Sequence, residues 1–262
     1  MDLGLAGRAA LVCASTGGLG EAIARALAAE GANVVVSGRR ADRAKMIADD
    51  ITQAGPGRAV AVEADLGEPQ GAKQLHEDAV NQLGPIDVLV LNGPGPKPGG
   101  ASDTTWDDAR AALDLLVRPH VQLVQAVLPH MRERQWGRVL AVGSSGVTAP
   151  LPNLALSNLG RSALAGYLKT LAAEVAGDGV TVNLILPGRI ATDRVAQLDQ
   201  AAADRQGRTA AAVADESRAT IPAGRYGDPS EFGAVAAFLC GQPASYVTGT
   251  AIRVDGGLVR SL

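Results

Sequence analysis

Residues 11–27 read Leu-Val-Cys-Ala-Ser-Thr-Gly-Gly-Leu-Gly-Glu-Ala-Ile-Ala-Arg-Ala-Leu, and here residue type and spacing first point to chemistry. Residues 9–14 have the apolar run of a buried strand. Leu19, Ile23, Ala26 and Leu27 then repeat at i, i+4, i+7 and i+8, the period of a helix. Ser15, Thr16, Gly17, Gly18 and Gly20 fall in and around the turn between them. A tight strand-to-helix turn aims several backbone N–H groups and a helix N-terminus at one spot, and small residues let an anion come close. The chemistry is phosphate recognition, with a nucleotide as the simplest ligand. Any tight turn uses glycine, so the rest of the chain must decide. Three widely spaced histidines and two isolated cysteines, Cys13 and Cys240, offer no ligand cluster for a structural zinc.

The elements that must position this turn follow from periodicity. Strand-like runs at 33–37, 58–64, 86–91, 138–142, 180–186 and 251–254 follow the opening strand. Helical stretches at about 42–54, 69–83, 105–132 and 157–176, and one starting by residue 230, alternate with them. Such alternation predicts an α/β, doubly wound Rossmann fold: a seven-stranded, mostly parallel sheet with helices on both faces. Ligands of such sheets bind outside the carboxyl ends of the strands. Residues 191–219, alanine-rich and charged, read as one or two short helices forming a lid, or equally as a surface excursion.

At 262 residues and a net charge of −3, one domain spanning 1–262 is expected. There is no basic field for nucleic acid, and no apolar run is long enough to span a membrane. A small-molecule substrate is the expected partner. Met1-Asp2-Leu3-Gly4-Leu5 lacks a basic segment followed by an apolar one, so no secretory signal is expected. With two isolated thiols in apolar surroundings, the expectation is a cytoplasmic protein.

Several further motifs stand in order. Cys13 to Gly20 fits Thr-Gly-x-x-x-Gly-x-Gly with its leading Thr-Gly replaced; Asp65-Leu66 stands for an Asp-Val pair; Asn92-Gly93 keeps part of Asn-Asn-Ala-Gly. Pro187-Gly188-Arg189-Ile190-Ala191-Thr192 agrees with Pro-Gly-x-x-x-Thr, and Val247-Thr248-Gly249 through Val254-Asp255-Gly256-Gly257 matches as well. Along nearly its whole length the chain resembles the short-chain dehydrogenase/reductase family, in its 3-oxoacyl-carrier-protein reductase-like branch. The resemblance implies a nicotinamide cofactor held by Ser15, Thr16, Gly18, Leu19, Gly20, Asp65, Leu66, Asn92, Gly93, Pro187, Gly188, Ile190 and Thr192. At the end of the second strand, where an NAD enzyme carries an acidic residue, stand Gly38, Arg39 and Arg40. A guanidinium there suits a 2′-phosphate, so NADP(H) is the expected cofactor with Arg39 as its main reader; the alternative is that both arginines are solvated charges at a helix start.

The family's catalytic set is a helix Asn, a Ser after the fifth strand, and a Tyr-x-x-x-Lys pair. Counting places the Ser at Ser145, the Tyr at Asn158, the Lys at Ser162 and the helix Asn at Leu116. Tyr167, Tyr226 and Tyr246 do not fall at the site, and Ser157 reads as a helix N-cap. Asn158 can donate to a carbonyl but supplies no proton. Arg161 can stabilise an oxyanion and attract an acidic substrate, or be a surface or interface ion pair. His120 titrates near neutrality, or serves packing. The resemblance therefore implies an NADP(H)-dependent oxidoreductase acting on a carbonyl or activated alkene, an acyl thioester among the candidates, with Ser145, Asn158, Arg161 and Ser162 at an atypical site. The rival is a non-catalytic NADP(H)-binding protein used for sensing or assembly. The wide apolar surface of the helix from Asn158 to Val175 implies a homodimer or homotetramer.

Overall fold

Each run rich in Val, Ile, Leu and Ala becomes a strand, and each amphipathic stretch a helix. The computed structural model describes residues 1–261. Its elements are β1 (Ala9–Val12), α1 (Gly18–Ala29), β2 (Asn33–Gly38), α2 (Ala41–Ala54), β3 (Ala59–Glu63), α3 (Gly71–Leu83), β4 (Val88–Leu91), α4 (Trp106–Leu116), α5 (Arg118–Glu133), β5 (Gly137–Val142), α6 (Ala155–Val175), β6 (Val180–Pro187), α7 (Asp193–Gln206), α8 (Ala210–Thr220), α9 (Pro229–Cys240) and β7 (Ala251–Val254).

The seven strands form one sheet in the order β3-β2-β1-β4-β5-β6-β7, and every ladder is parallel. The expected doubly wound Rossmann-like α/β sheet is what the chain forms. Because β1 lies beside β4, the order reverses there and opens a crevice at the carboxyl ends of the strands.

Alternate residues of each strand feed opposite layers. Leu11, Val35 and Leu89 pack against Leu75 of α3, Val124 of α5 and Leu168 of α6. Val12, Val34 and Val90 pack against Ile23 of α1, Ile47 of α2 and Phe232 of α9. Burial of each such side chain contributes roughly 1.5–3 kcal/mol. Cys13 and Cys240 are free and buried, and burial pushes both thiols up to about 12.

Two local features differ from what the periodicity implies. The expected helix over 105–132 is two helices, broken at Val117. Pro119 supplies no N–H at the start of α5, which leaves the Leu115 carbonyl without its i+4 donor, and the His120 ring meets the next carbonyl, that of Leu116 (Nδ1 to O, 2.8 Å). Ser157 is not an N-cap: α6 begins at Ala155 after Leu154, with no side-chain cap. The segment after β6 holds α7 and α8, each capped by a threonine, Thr192 and Thr209. No described helix is long and apolar enough to cross a membrane.

Candidate active site

The turn after β1 is held from three sides. Ala14 sits at φ 47°, a left-handed conformation that favours glycine. The Asn92 side-chain amide donates to its carbonyl (3.1 Å). The Ser15 hydroxyl donates to Val12 O (2.7 Å) and accepts from Ser37 N (2.9 Å), so this buried side chain ties β1 to β2. Its hydroxyl is engaged by the scaffold.

Around this frame the glycines make a cradle. A Cβ on Gly20 would stand 2.5 Å from Ala14 O and 2.8 Å from Asn92 Nδ2. A Cβ on Gly38 would meet the Thr16 side chain at 2.8 Å. The N-terminus of α1 has no side-chain cap, which leaves its N–H groups available to an anion. A dinucleotide's phosphates fit such a cradle. Gly18 faces Thr192, whose Cγ2 lies 3.7 Å from where a Gly18 Cβ would be; the N-cap of α7 thus closes the opposite wall. Leu19 packs against the core and Leu66 is buried. Gly188 meets Asp255 so closely that a Cβ would overlap it, and Ile190 pairs with Gly227.

The arginines after β2 divide in a way the sequence did not reveal. Arg40 Nη2 and Arg43 Nε both donate to the Thr16 carbonyl, at 2.6 and 3.0 Å. Arg39 is 72% exposed, with only a 4.0 Å approach to Asp65. Arg40 and Arg43 therefore brace the turn, while Arg39 stays free at its rim. Arg43, one helical turn beyond Arg40, was the available signal for this pair.

At the other end of the crevice the residues reached by counting do not gather as expected. Ser145 is buried in a short 3-10 turn. Asn158 spends its amide on the backbone of Leu151, Nδ2 donating to O at 3.0 Å and Oδ1 accepting from N at 3.4 Å. That bonding ties the loop after β5 to α6 and leaves Asn158 one amide N–H. Ser162 lies on the exposed face of α6. The inward side chain is Arg161, whose Nη1 donates to Val142 O (2.7 Å) at the carboxyl end of β5. Burial, reinforced by Arg194, pushes its guanidinium down to about 10.

One turn before Arg161 on the same face is Ser157. Just past β5 is Ser144, whose hydroxyl oxygen accepts from Gly146 N (3.0 Å) and keeps its own proton to donate. Ser144, Ser157 and Arg161 reproduce the spacings of 13 and 4 residues, one position earlier than the count from Ser145. Leu116 is buried against Gly160, where a Cβ would stand 2.7 Å from its Cδ1. That close approach of α4 to α6 fixes the neighbouring Arg161.

His120 is buried beside the site. Both ring nitrogens meet carbonyls, Nδ1 at Leu116 O (2.8 Å) and Nε2 at Asn92 O (3.4 Å). Carbonyls only accept, so the short contact fixes the proton on Nδ1 of a neutral ring. Burial lowers its pKa. Of the tyrosines, Tyr226 donates to Asp199 (2.8 Å), Tyr246 is fully exposed, and Tyr167 packs at the edge of the core.

Comparison with known proteins gives one consistent likeness. A family model described as Enoyl-(Acyl carrier protein) reductase matches residues 13–259. Dehydrogenase/reductase SDR family member 4 of Sus scrofa is 35% identical over 262 residues, covering 98% of this chain and 89% of the relative. The 3-oxoacyl-[acyl-carrier-protein] reductase FabG of Aquifex aeolicus (strain VF5) is 32% identical over 259 residues, covering 98% of this chain and 100% of the relative. The structure of L-sorbose reductase from Gluconobacter frateurii, complexed with NADPH and L-sorbose, superposes with a TM-score of 0.94 at 29% identity, each chain fully covered.

Proposed function

The chain belongs to the short-chain dehydrogenase/reductase family, and from that membership we propose that it is an NADP(H)-dependent oxidoreductase working on a small carbonyl compound or activated alkene with an atypical proton-transfer site. The observation that carries this reading is a pairing of two ends of one crevice. An anion cradle with an exposed arginine stands at one end, and at the other a guanidinium seated on the Val142 carbonyl, two residues before Ser144 in the chain and one helical turn after Ser157.

When bound, the cofactor supplies or accepts a hydride. The N-terminus of α1, Gly18 and Thr192 hold its phosphates, Asp65 and Leu66 flank the adenine, and Arg39 reads the 2′-phosphate. Asn92 holds the turn in shape through Ala14. The Ser144 hydroxyl donates to the substrate oxygen, and Arg161 stabilises the negative charge that develops there. Arg161 does not release its proton near neutral pH. Water held by the Ser144 and Ser157 hydroxyls therefore protonates the oxygen, and bulk solvent restores it. A positioned general acid typically contributes ~10²- to 10⁴-fold, so turnover slower than usual by that order is expected.

The lid reading of α7 and α8 rests on their attachment beside the crevice. Arg189 Nη1 donates to buried Asp199 of α7 (2.9 Å), and Tyr226 donates to the same carboxylate. Association of copies rests on the outer face of α6, where Leu159 stays exposed.

The test is NADPH oxidation by the purified protein with ketones, 3-oxoacyl thioesters and enones, beside Ser144→Ala and Arg161→Leu variants. Turnover that both variants reduce at least tenfold supports the reading. NADPH binding without turnover above the variants leaves the non-catalytic rival.

A further inference from the structure

Two guanidinium groups border the substrate end of the crevice without an acidic partner. Arg161 reaches the end of β5 and uses one N–H on Val142 O. Arg194, in the first turn of α7, stands over the loop that follows β4; its Nη2 lies 3.3 Å from where a Cβ on Gly95 would be. β4 and β5 are neighbouring strands, and Arg194 is near enough for its charge to act on Arg161. Among the described residues neither forms an ion pair, unlike Arg25, Arg189 or Arg225. Arg161 is partly buried and Arg194 is exposed; the two like charges repel, and an anion between them relieves that repulsion.

Geometry separates this anion from the cofactor's phosphates. Thr192 faces Gly18 on the phosphate side of the cradle. Arg194 comes two residues later, within the first turn of α7, and reaches Gly95 instead. Gly95 has no side chain to obstruct it, and Pro94 and Pro96 stiffen the loop on either side.

Building on the oxidoreductase reading, we propose that Arg161 and Arg194 clamp a carboxylate, and that the substrate is a small oxo acid whose carboxylate lies next to the reacting carbonyl. Arg161 then serves both groups of a 2-oxo acid, and Arg194 takes the outer carboxylate oxygen through its planar fork. Reduction adds hydride to the carbonyl carbon and a water-derived proton to its oxygen. The product is the 2-hydroxy acid, and NADPH leaves as NADP⁺.

The experiment compares 2-oxobutanoate with its methyl ester in the full-length protein. A charge-assisted fork predicts a preference for the acid of about 10- to 100-fold in kcat/KM. Arg194→Ala is expected to raise KM for the acid about tenfold and lower the acid-to-ester ratio by the same factor, while NADPH affinity by fluorescence titration changes less than twofold. Equal use of acid and ester by the unaltered protein overturns the proposal. A parallel loss of NADPH affinity in Arg194→Ala also overturns it, because the arginine then serves the cofactor. Binding is read separately by thermal shift of the NADPH complex, which the acid but not the ester raises, an effect lost in Arg194→Ala. If turnover is absent but this shift is present, the oxidoreductase reading fails and the clamp stands. If the shift is absent, the clamp falls.

Discussion

The Asn92 side-chain amide donates to the Ala14 carbonyl at 3.1 Å, joining the turn after β1 to the loop after β4. These are the two strands between which the sheet order reverses. One hydrogen bond thus closes the floor of the crevice, and Gly20 is the residue whose small size permits it.

Gly20→Ala forces its new methyl against Ala14 O and Asn92 Nδ2, an overpacking that costs about 1–3 kcal/mol. The expected result is a lower melting temperature and weakened NADPH binding. Ala14→Gly acts the other way. Relief of a left-handed alanine at about 1–2 kcal/mol outweighs the backbone entropy of a glycine, about 0.5–1 kcal/mol. Melting measurements should show a rise of a few degrees for Ala14→Gly; a fall would refute the role given to its φ of 47°.

Arg39 has no strong partner to lose, whereas Arg40 already bonds Thr16. Arg39→Ala should therefore weaken NADPH by about 10- to 100-fold, the value of charge-assisted hydrogen bonds of roughly 1.5–3 kcal/mol, and leave NADH nearly unchanged. Titrations with both nucleotides decide this. Equal losses would show that Arg39 does not read the 2′-phosphate.

Asp199 links α7 to the loop after β6 through Arg189 and to Tyr226. Asp199→Ala leaves both donors without their acceptor at a cost of about 1–3 kcal/mol. If the segment is a lid, limited proteolysis should cut first within residues 193–220 of the variant, and KM should rise more than kcat falls. Unchanged cleavage with an unchanged KM would mark α7 and α8 as a plain surface excursion.

His120 sets an acid limit on stability. Burial holds its folded pKa below the unfolded value of about 6.5, so the unfolded state binds more protons as pH falls. The stabilisation is complete above about pH 6.5 and is lost as pH drops through the lowered folded value. Half-buried His76 is shifted the same way. Melting temperatures should fall between about pH 7 and pH 5, and His120→Gln, which keeps a donor for Leu116 O, should flatten much of that slope. An identical slope in the variant would assign it elsewhere.

Much of this molecule follows from local pattern. The apolar runs and helical repeats set seven strands, their flanking helices and the two buried layers, because burial period is a property of neighbouring residues. The glycine turn, Asn92 and Thr192 were legible because small size and capping chemistry act over a few residues. The break at Val117 was half legible: Pro119 marked it, but only the fold showed that the His120 ring turns back onto the Leu116 carbonyl. What the tertiary structure alone decided was direction. On a helix each residue turns about 100° from the last, so a register error of one residue sends Ser162 outward and Arg161 inward. Likewise, no local rule separates Arg39 from Arg40; the fold does, by placing the Thr16 carbonyl within reach of Arg40 and Arg43 and leaving Arg39 at the rim.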